Sequence, residues 1–149
     1  LLQNNTHISY YSRTNSLGAI SVEMGVGQPH GLYIAHWYDY SGGNSYRAYN
    51  SIQIGPNTGV TNTAALFQAN RINSTTAILY RNTTAAFTDT ISSSGLSSVS
   101  IYVGSYNGTS GRSARECAYA SIGQGMTPTE QSNHYTAVQA FNTALSRQV

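Results

Sequence analysis

The chain has 149 residues, of which seven are arginine, five are acidic and none is lysine. Charged residues make up 8%, against about a quarter in typical soluble domains, so hydroxyl and amide groups must make the surface polar. The net charge of +2 comes from scattered arginines, whereas phosphate binding needs clustered basic residues. This composition argues against nucleic acid as a partner and suits an extracellular or virion-surface β-protein.

The length fits one domain, which we place at residues 1–149, and is sufficient to bury a core. No apolar run approaches the roughly 20 residues that cross a bilayer, so we expect no membrane insertion. The start does not resemble a signal peptide, and we expect a segment cut from a longer protein. The single cysteine, Cys117, excludes an internal disulfide, and its place in an apolar strand predicts a buried, inert thiol.

Short alternating segments fill the first half of the chain. Residues 7–11 predict the first strand. Residues 19–26 predict a second strand with a water-facing side, Ala19, Ser21 and Glu23, and a core side, Ile20, Val22, Met24 and Val26. Residues 32–40 are rich in aromatic residues and predict a hairpin with residues 46–54, although the alternation does not decide which face is exposed.

The second half predicts five further strands before a C-terminal helix. They lie at residues 65–70, 76–81, 85–90, 98–105 and in the segment through Cys117. Spacings of about 8 to 12 residues between short strands are typical of an antiparallel sandwich.

The last segment carries the signals of a capped helix. Thr127 predicts the N-cap, Pro128 the first helical position, and Glu130 the return bond of a capping box. An apolar stripe at helical spacing is predicted to pack on the sandwich: Tyr135, Val138, Phe141 and Leu145. Three polar residues are predicted to face water: Glu130, Gln139 and Arg147.

Four stretches carry a resemblance to a known family: LYRN at 79–82, GLSSVSIYVGSYN at 95–107, SAREC at 113–117 and ASIGQGMTPTEQSNHYTAVQAFNTALSRQV at the end. From about Asn5 onward, the chain resembles the concanavalin A-like (laminin G-like) jelly-roll domains near the C-termini of phage tail-associated and some bacterial surface proteins. The resemblance implies an all-β antiparallel β-sandwich of jelly-roll topology with one C-terminal α-helix. This fold hosts lectins, glycan hydrolases and structural modules.

Glycan hydrolysis requires two carboxyl groups about 5 to 10 Å apart. Hydrolases of the concanavalin A-like class carry paired acids two to four residues apart on one strand. No two of the five acids are that close: Glu23, Asp39, Asp89, Glu116 and Glu130. We therefore expect no enzymatic activity.

Metal binding is also not expected. Calcium, which many members of this fold hold, needs six to eight oxygen ligands, and Asp39 and Asp89 are isolated from other acids. The four histidines show no paired zinc spacing, and His134 is predicted to be solvated: His7, His30, His36 and His134. We expect no cofactor.

The predicted hairpin of residues 32–40 and 46–54 combines aromatic rings with polar groups. Lectin sites stack a ring on the apolar face of a sugar and read its hydroxyls with fixed polar groups. The candidate ligand-binding residues are Trp37, Tyr38, Asp39, Tyr40, Asn44 and Arg47. The alternative is that these rings serve packing alone. The loop at residues 106–112 is a second candidate, against the alternative of an ordinary surface loop.

The sequence thus favours a non-catalytic glycan-recognition module of a phage tail or surface protein that attaches to a cell-surface glycan. A structural or assembly domain without a ligand, capping a fibre or forming a homo-oligomer in it, is the alternative. A degenerate glycan hydrolase is a third hypothesis. The sequence does not name the glycan.

Overall fold

The computed structural model describes residues 2–16, 21–26, 31–38, 44–48, 61–90, 92–93, 95 and 97–148, with side chains for all of these except 36–38 and 44–48. These residues form nine strands and one helix: β1 Thr6–Ser12, β2 Ser21–Val26, β3 Leu32–Tyr38, β4 Asn44–Ala48, β5 Ala65–Arg71, β6 Ala77–Arg81, β7 Thr84–Asp89, β8 Tyr102–Val103, β9 Cys117–Gly123 and α1 Pro128–Ala144.

The strands form two antiparallel sheets. The five-stranded sheet has the order β7-β6-β5-β1-β9, and the four-stranded sheet has the order β4-β3-β2-β8. The predicted hairpin of β3 and β4 is confirmed where residues 34–36 pair with residues 46–48. Strand β4 begins at Asn44, two residues earlier than predicted, and residues 39–40 and 49–54 lie outside the described residues. The strand predicted at 98–105 is much shorter than expected, because only Tyr102 and Val103 pair with β2.

One hydrophobic core lies between the two sheets. Strands β1, β5 and β6 contribute residues such as Tyr10, Phe67 and Leu79, and strands β2 and β3 contribute Met24 and Ile34. These side chains alternate with residues that point away from the core, as a strand with two distinct faces requires. The two sheets therefore share a core, which is the arrangement of a β-sandwich.

Helix α1 packs on the opposite face of the five-stranded sheet. Val138 joins Tyr11, Leu66 and Ala118 in a second apolar cluster, and Tyr135 packs against it. The predicted capping box is confirmed, because the Thr127 side chain accepts from the Glu130 N–H and the Glu130 carboxylate accepts from the Thr127 N–H. The molecule is thus built in three layers, with one helix on one side of two sheets.

The predicted apolar stripe of α1 is wrong at its C-terminal end. The buried residues of the helix are Gln131, Val138 and Asn142, whereas Phe141 and Leu145 are 52% and 44% exposed. Polar side chains share the buried face of α1 instead: Gln131 Nε2 donates to Asn82 O, in the turn between β6 and β7, at 2.6 Å, and Asn142 Nδ2 donates to Val138 O at 2.9 Å. Gln139, predicted to face water, is half-buried, and its Oε1 accepts from the Tyr11 hydroxyl at 3.3 Å.

The predicted water-facing side of β2 is also wrong at Ser21 and Glu23, which are buried, whereas Ala19 lies outside the described residues. A register shift between Val22 and Met24 interrupts the regular alternation. Arg115 then reaches Glu23 from a distant loop, with Nη1 2.7 Å from Oε1 and both side chains at most 3% exposed. The carboxylate also accepts from Ser113 Oγ at 2.6 Å and from Ser21 Oγ at 3.0 Å, so the buried pair is fully hydrogen-bonded.

Cys117, predicted to be buried, is exposed at the start of β9. Its Sγ lies 3.4 Å from the carbonyl oxygen of Tyr119, and partial burial of the sulfur raises the thiol pKa. The thiolate, which is the nucleophilic form, is therefore disfavoured.

Candidate functional site

Four of the six predicted ligand-binding residues lie on the paired backbone of β3 and β4. Tyr38 pairs with Asn44, Trp37 with Ser45, and Ala35 with Arg47. The register thus brings Tyr38 and Asn44 opposite one another at the end of the hairpin. Asp39 and Tyr40 lie outside the described residues.

The neighbouring part of the same sheet carries two tyrosines on either side of a glycine. Gly25 of β2 pairs with Tyr33 of β3 and with Tyr102 of β8. Directly paired residues share a sheet face, and neighbouring strands are about 4.8 Å apart, so the two tyrosines begin roughly 10 Å from each other. Tyr33 alternates with the core residues Leu32 and Ile34, which places it on the outer face of the sheet.

Gly25 is required by this arrangement. A Cβ at this position would lie 2.2 Å from the Tyr33 Cβ, which is far too close for any side chain. Because residue 25 is glycine, no side chain stands between the two tyrosines on this face of the sheet.

A third tyrosine, Tyr106, completes a group that we call the tyrosine cluster: Tyr33, Tyr102 and Tyr106. The rings of Tyr33 and Tyr106 meet edge to face, with centroids 6.2 Å apart and planes at 76°. Gly108 lies against the third ring, since a Cβ there would be 2.9 Å from Tyr102 Cε1. Tyr102 is 39% exposed and the other two are half-buried, so part of the aromatic surface faces solvent.

The loop from residue 106 to residue 112 closes on itself as a small turn. The Tyr106 N–H donates to Ser110 O at 2.8 Å, and the Ser110 N–H donates back to Tyr106 O at 3.2 Å. Between them, Asn107 and Gly108 adopt positive φ angles of 56° and 76°. Asparagine and glycine are the residues that accept this conformation most readily.

The backbone of the loop is also tied to β2. The Val22 N–H donates to Gly111 O at 2.8 Å, and the Gly104 N–H donates to Glu23 O at 2.7 Å. The Ser113 N–H in turn donates to Gly104 O at 2.9 Å. Glu23, whose carbonyl oxygen accepts one of these bonds, also forms the buried pair with Arg115. The part of β2 that holds the loop is therefore fixed by this pair.

The charge near the tyrosine cluster comes from an exposed arginine. Arg112 forms an isolated bridge with Val22 and is exposed. Within the described part of the chain, the ion pairs are Arg13 with Glu116 and Arg115 with Glu23, so Arg112 belongs to neither. Burial raises the pKa of Glu23, while the bonds from Ser113 and Arg115 oppose this shift.

A separate polar cluster lies between α1 and the five-stranded sheet. His134 Nδ1 is 2.7 Å from Gln68 Oε1, and its Nε2 is 3.1 Å from the Tyr119 hydroxyl. The prediction that His134 is solvated is therefore wrong. Its ring centroid lies 5.7 Å from that of His7, whose Nδ1 is 2.5 Å from Gln124 O. Burial, followed by the charge of His7, lowers the pKa of His134.

Within the described ranges, the polar cluster around His7 and His134 lacks the third metal-binding side chain that a metal centre needs. In the residues that the structure describes, no group of three or more His, Cys, Asp or Glu side chains could hold a metal ion. His7 and His134 already bond to oxygen atoms of the protein. Through the contacts of His134 with Gln68 and Tyr119, the cluster connects α1 to β5 and β9.

A membrane-spanning helix is likewise not found among the described residues, since α1 lacks the required length and apolar character.

Comparison with known proteins assigns no family to the chain, because no family model and no curated protein matches it. The function is therefore argued from the geometry of the site.

The sequence indicated only part of this site. The loop at 106–112 was a candidate, but Tyr33 and Tyr102 were not, because their proximity depends on the register of three strands. The available signal was a glycine inside β2, which often marks a close approach of another backbone or a ligand.

Proposed function

We propose that the chain is a concanavalin A-like jelly-roll domain that binds a cell-surface glycan without catalysis, as part of a phage tail or other surface protein. The two antiparallel sheets with a shared core and the C-terminal helix support this fold. Three of the five acids have structural roles, which supports the non-catalytic function: Glu23 is buried in an ion pair, Glu116 is paired with Arg13, and Glu130 caps α1.

The tyrosine cluster is the observation that carries the proposal. Aromatic rings offer a flat apolar surface with polar hydroxyl tips, which suits the mixed faces of a sugar ring. The partly exposed ring of Tyr102 stands beside a loop rich in hydroxyl and amide groups, and that loop is held rigidly on β2. Rigid aromatic groups and fixed polar groups together are what a saccharide site needs.

Backbone alternation connects this cluster with the hairpin residues. Positions 33, 35 and 37 share one face of β3, while position 38 shares the face of Ile34. Positions 37 and 47 therefore lie on the same sheet face as position 33, since Arg47 pairs with Ala35, and the proposed site includes these two positions.

The first experiment measures binding of the whole chain, presented as a multimer, to a glycan array. Tyr102→Ala should weaken binding by about 1 to 3 kcal/mol, as removal of a stacking ring does. Tyr102→Phe is the matched control and should bind nearly as well as the parent, because it keeps the ring. A folded Tyr102→Ala variant with unchanged binding would exclude the tyrosine cluster, and an array without any bound glycan would exclude the proposed function.

A second pair of variants tests the orientation of β3. Trp37→Ala should weaken glycan binding, whereas Tyr38→Ala should affect stability more than binding. Circular dichroism must show that both variants fold. The reverse result would place the site on the other face of the hairpin.

Assembly is the second candidate function, and the exposed apolar end of α1 favours it. Phe141 and Leu145 leave large side chains in solvent on the last turns of the helix. Exposed apolar residues that adjoin one another are typical of protein interfaces. This role requires that the parent chain forms an oligomer and that Phe141→Ser dissociates it. Sedimentation of the two proteins tests both requirements.

A further inference from the structure

We propose that the glycan recognised by the tyrosine cluster is an acidic saccharide whose sugars carry carboxylate groups. This inference rests on the proposed function and adds the chemical class of the ligand.

The charge distribution of the four-stranded sheet carries the inference. Its described strands and the loop at 106–112 contain three charged residues, Glu23, Arg47 and Arg112. Glu23 is buried and its charge is balanced by Arg115. Among the side chains that the structure describes in these strands and this loop, the remaining charge is that of Arg112, which is positive and attracts an anionic ligand at short range.

Arg112 is well placed to meet such a ligand. It follows Gly111, where a Cβ would lie 3.4 Å from the Tyr106 Cβ, so the loop passes directly beside the tyrosine cluster. The Arg112 side chain is exposed and forms no ion pair with a described residue. A guanidinium group can hold a carboxylate through two parallel hydrogen bonds, which adds geometric selectivity to the charge attraction.

The same observations disfavour a polyphosphate such as a nucleic acid. Binding of a phosphate backbone draws on many clustered cations, and the chain has seven arginines in all. An acidic saccharide of this kind carries no more than one carboxylate on each sugar, and a large neutral surface lies between the charges. Aromatic rings with one or two arginines nearby match that pattern.

The experiment compares acidic polysaccharides with their own uncharged derivatives. Polygalacturonate, alginate and hyaluronan would each be immobilised with free carboxylates and again after methyl esterification, which removes the charge and keeps the sugar backbone. The multimeric parent should bind the free form of at least one polymer ten times or more tightly than its ester. Raising the salt concentration should reduce that ratio.

Two variants assign the preference to Arg112. Arg112→Gln should bring the ratio between acid and ester to within about twofold. Arg147→Gln is the matched control, because Arg147 is an exposed arginine just after α1, on the other side of the sandwich. It should leave the ratio unchanged.

The outcomes separate this inference from the proposed function. Equal binding to acid and ester, binding to neutral glycans alone, or an unchanged ratio in Arg112→Gln would overturn the acidic ligand. The first two would leave glycan recognition intact, whereas loss of all array binding would remove both.

Discussion

The buried carboxylate of Glu23 and the guanidinium of Arg115 hold together residues that are 92 positions apart in the chain. Removing one partner of a buried ion pair leaves the other charge uncompensated. We expect Glu23→Gln to lower the free energy of unfolding by about 3 to 5 kcal/mol. Chemical denaturation measures this cost.

Glu116 provides the matched control for that measurement. It pairs with Arg13 at 2.5 Å, but its side chain is 61% exposed, so water screens the interaction. Glu116→Gln should change stability by no more than about 0.5 kcal/mol. Equal losses of unfolding free energy in the two variants would show that the buried ion pair contributes no more to stability than the exposed one.

Thr127 stabilises the first turn of α1 through its side chain. Its hydroxyl oxygen accepts from the Glu130 N–H, and the Thr127 bonds to the Glu130 carboxylate lower the pKa of that group. Thr127→Ala should cost about 1 kcal/mol, the usual value for a lost N-cap. A denaturation midpoint within error of the parent would contradict the prediction, and Thr127→Ser should preserve the cap.

Val138 lies on the buried face of the helix, whereas Phe141 lies on the exposed face. Val138→Ala should cost about 1.5 kcal/mol, since two methyl groups are removed from a buried cluster. Phe141→Ala should cost less than about 0.5 kcal/mol in the monomer, because the ring lies largely in solvent. Thermal and chemical unfolding of the two variants at low protein concentration would test this order, and a larger loss for Phe141→Ala would contradict it.

At the level of the elements, α1 is attached through the apolar cluster around Val138 and also through polar contacts that include His134. From the sheet, His7 of β1, Gln68 of β5 and Tyr119 of β9 face this imidazole, and Glu130 lies one turn before it on α1. Because burial lowers the pKa of His134, the folded state favours the neutral ring. An ordinary histidine has a pKa of about 6.5, so the unfolded chain takes up a proton first as the pH falls.

We therefore expect full stability from this histidine above about pH 6.5 and a progressive loss on acidification through its lower folded pKa. Melting curves between pH 7.5 and pH 5 measure the loss. His134→Gln should flatten it, since glutamine keeps polar contacts without titrating in this range. Glu23, whose pKa is raised by burial, acts with the opposite sign, because the folded state then takes up its proton more readily than the unfolded chain does. An unchanged slope in His134→Gln would assign the pH dependence to another group.

The elements themselves were largely predictable because their signals are local. Alternation marked the strands, and the Thr-Pro-Thr-Glu spacing marked the start of α1. The errors arose where a distant partner decides the outcome. Ser21 and Glu23 look solvent-facing in the sequence because their partner Arg115 lies in a distant loop. The burial of Asn142 instead of Phe141 depends on how α1 is rotated on the sheet, which the helical spacing alone does not fix.

The candidate site was less predictable for the same reason. The sequence pointed to the loop at 106–112 as one candidate among two. It could not show that Tyr33 and Tyr102 flank Gly25, because this depends on pairings between β2, β3 and β8. Strand register is set by long-range packing, which a single sequence does not display.

For the whole molecule, we expect stability without bound metal. The described acids are engaged in ion pairs and a helix cap or stand apart, so they cannot supply the several carboxylates of a tight calcium site. The melting temperature should not change when EDTA is added. A decrease of several degrees would indicate an ion held by other oxygen atoms.

The hydrogen bonds that fix the loop at 106–112 on β2 determine what ligand binding costs. Because the backbone is already ordered, a sugar need not freeze the loop, and little conformational entropy is lost on association. The association rate is then limited by diffusion of the ligand and not by rearrangement of the protein. A ligand held weakly at a single site also dissociates quickly. Under the proposed function, several such domains on one fibre would release and rebind one at a time, so that the particle could move across a cell surface without leaving it.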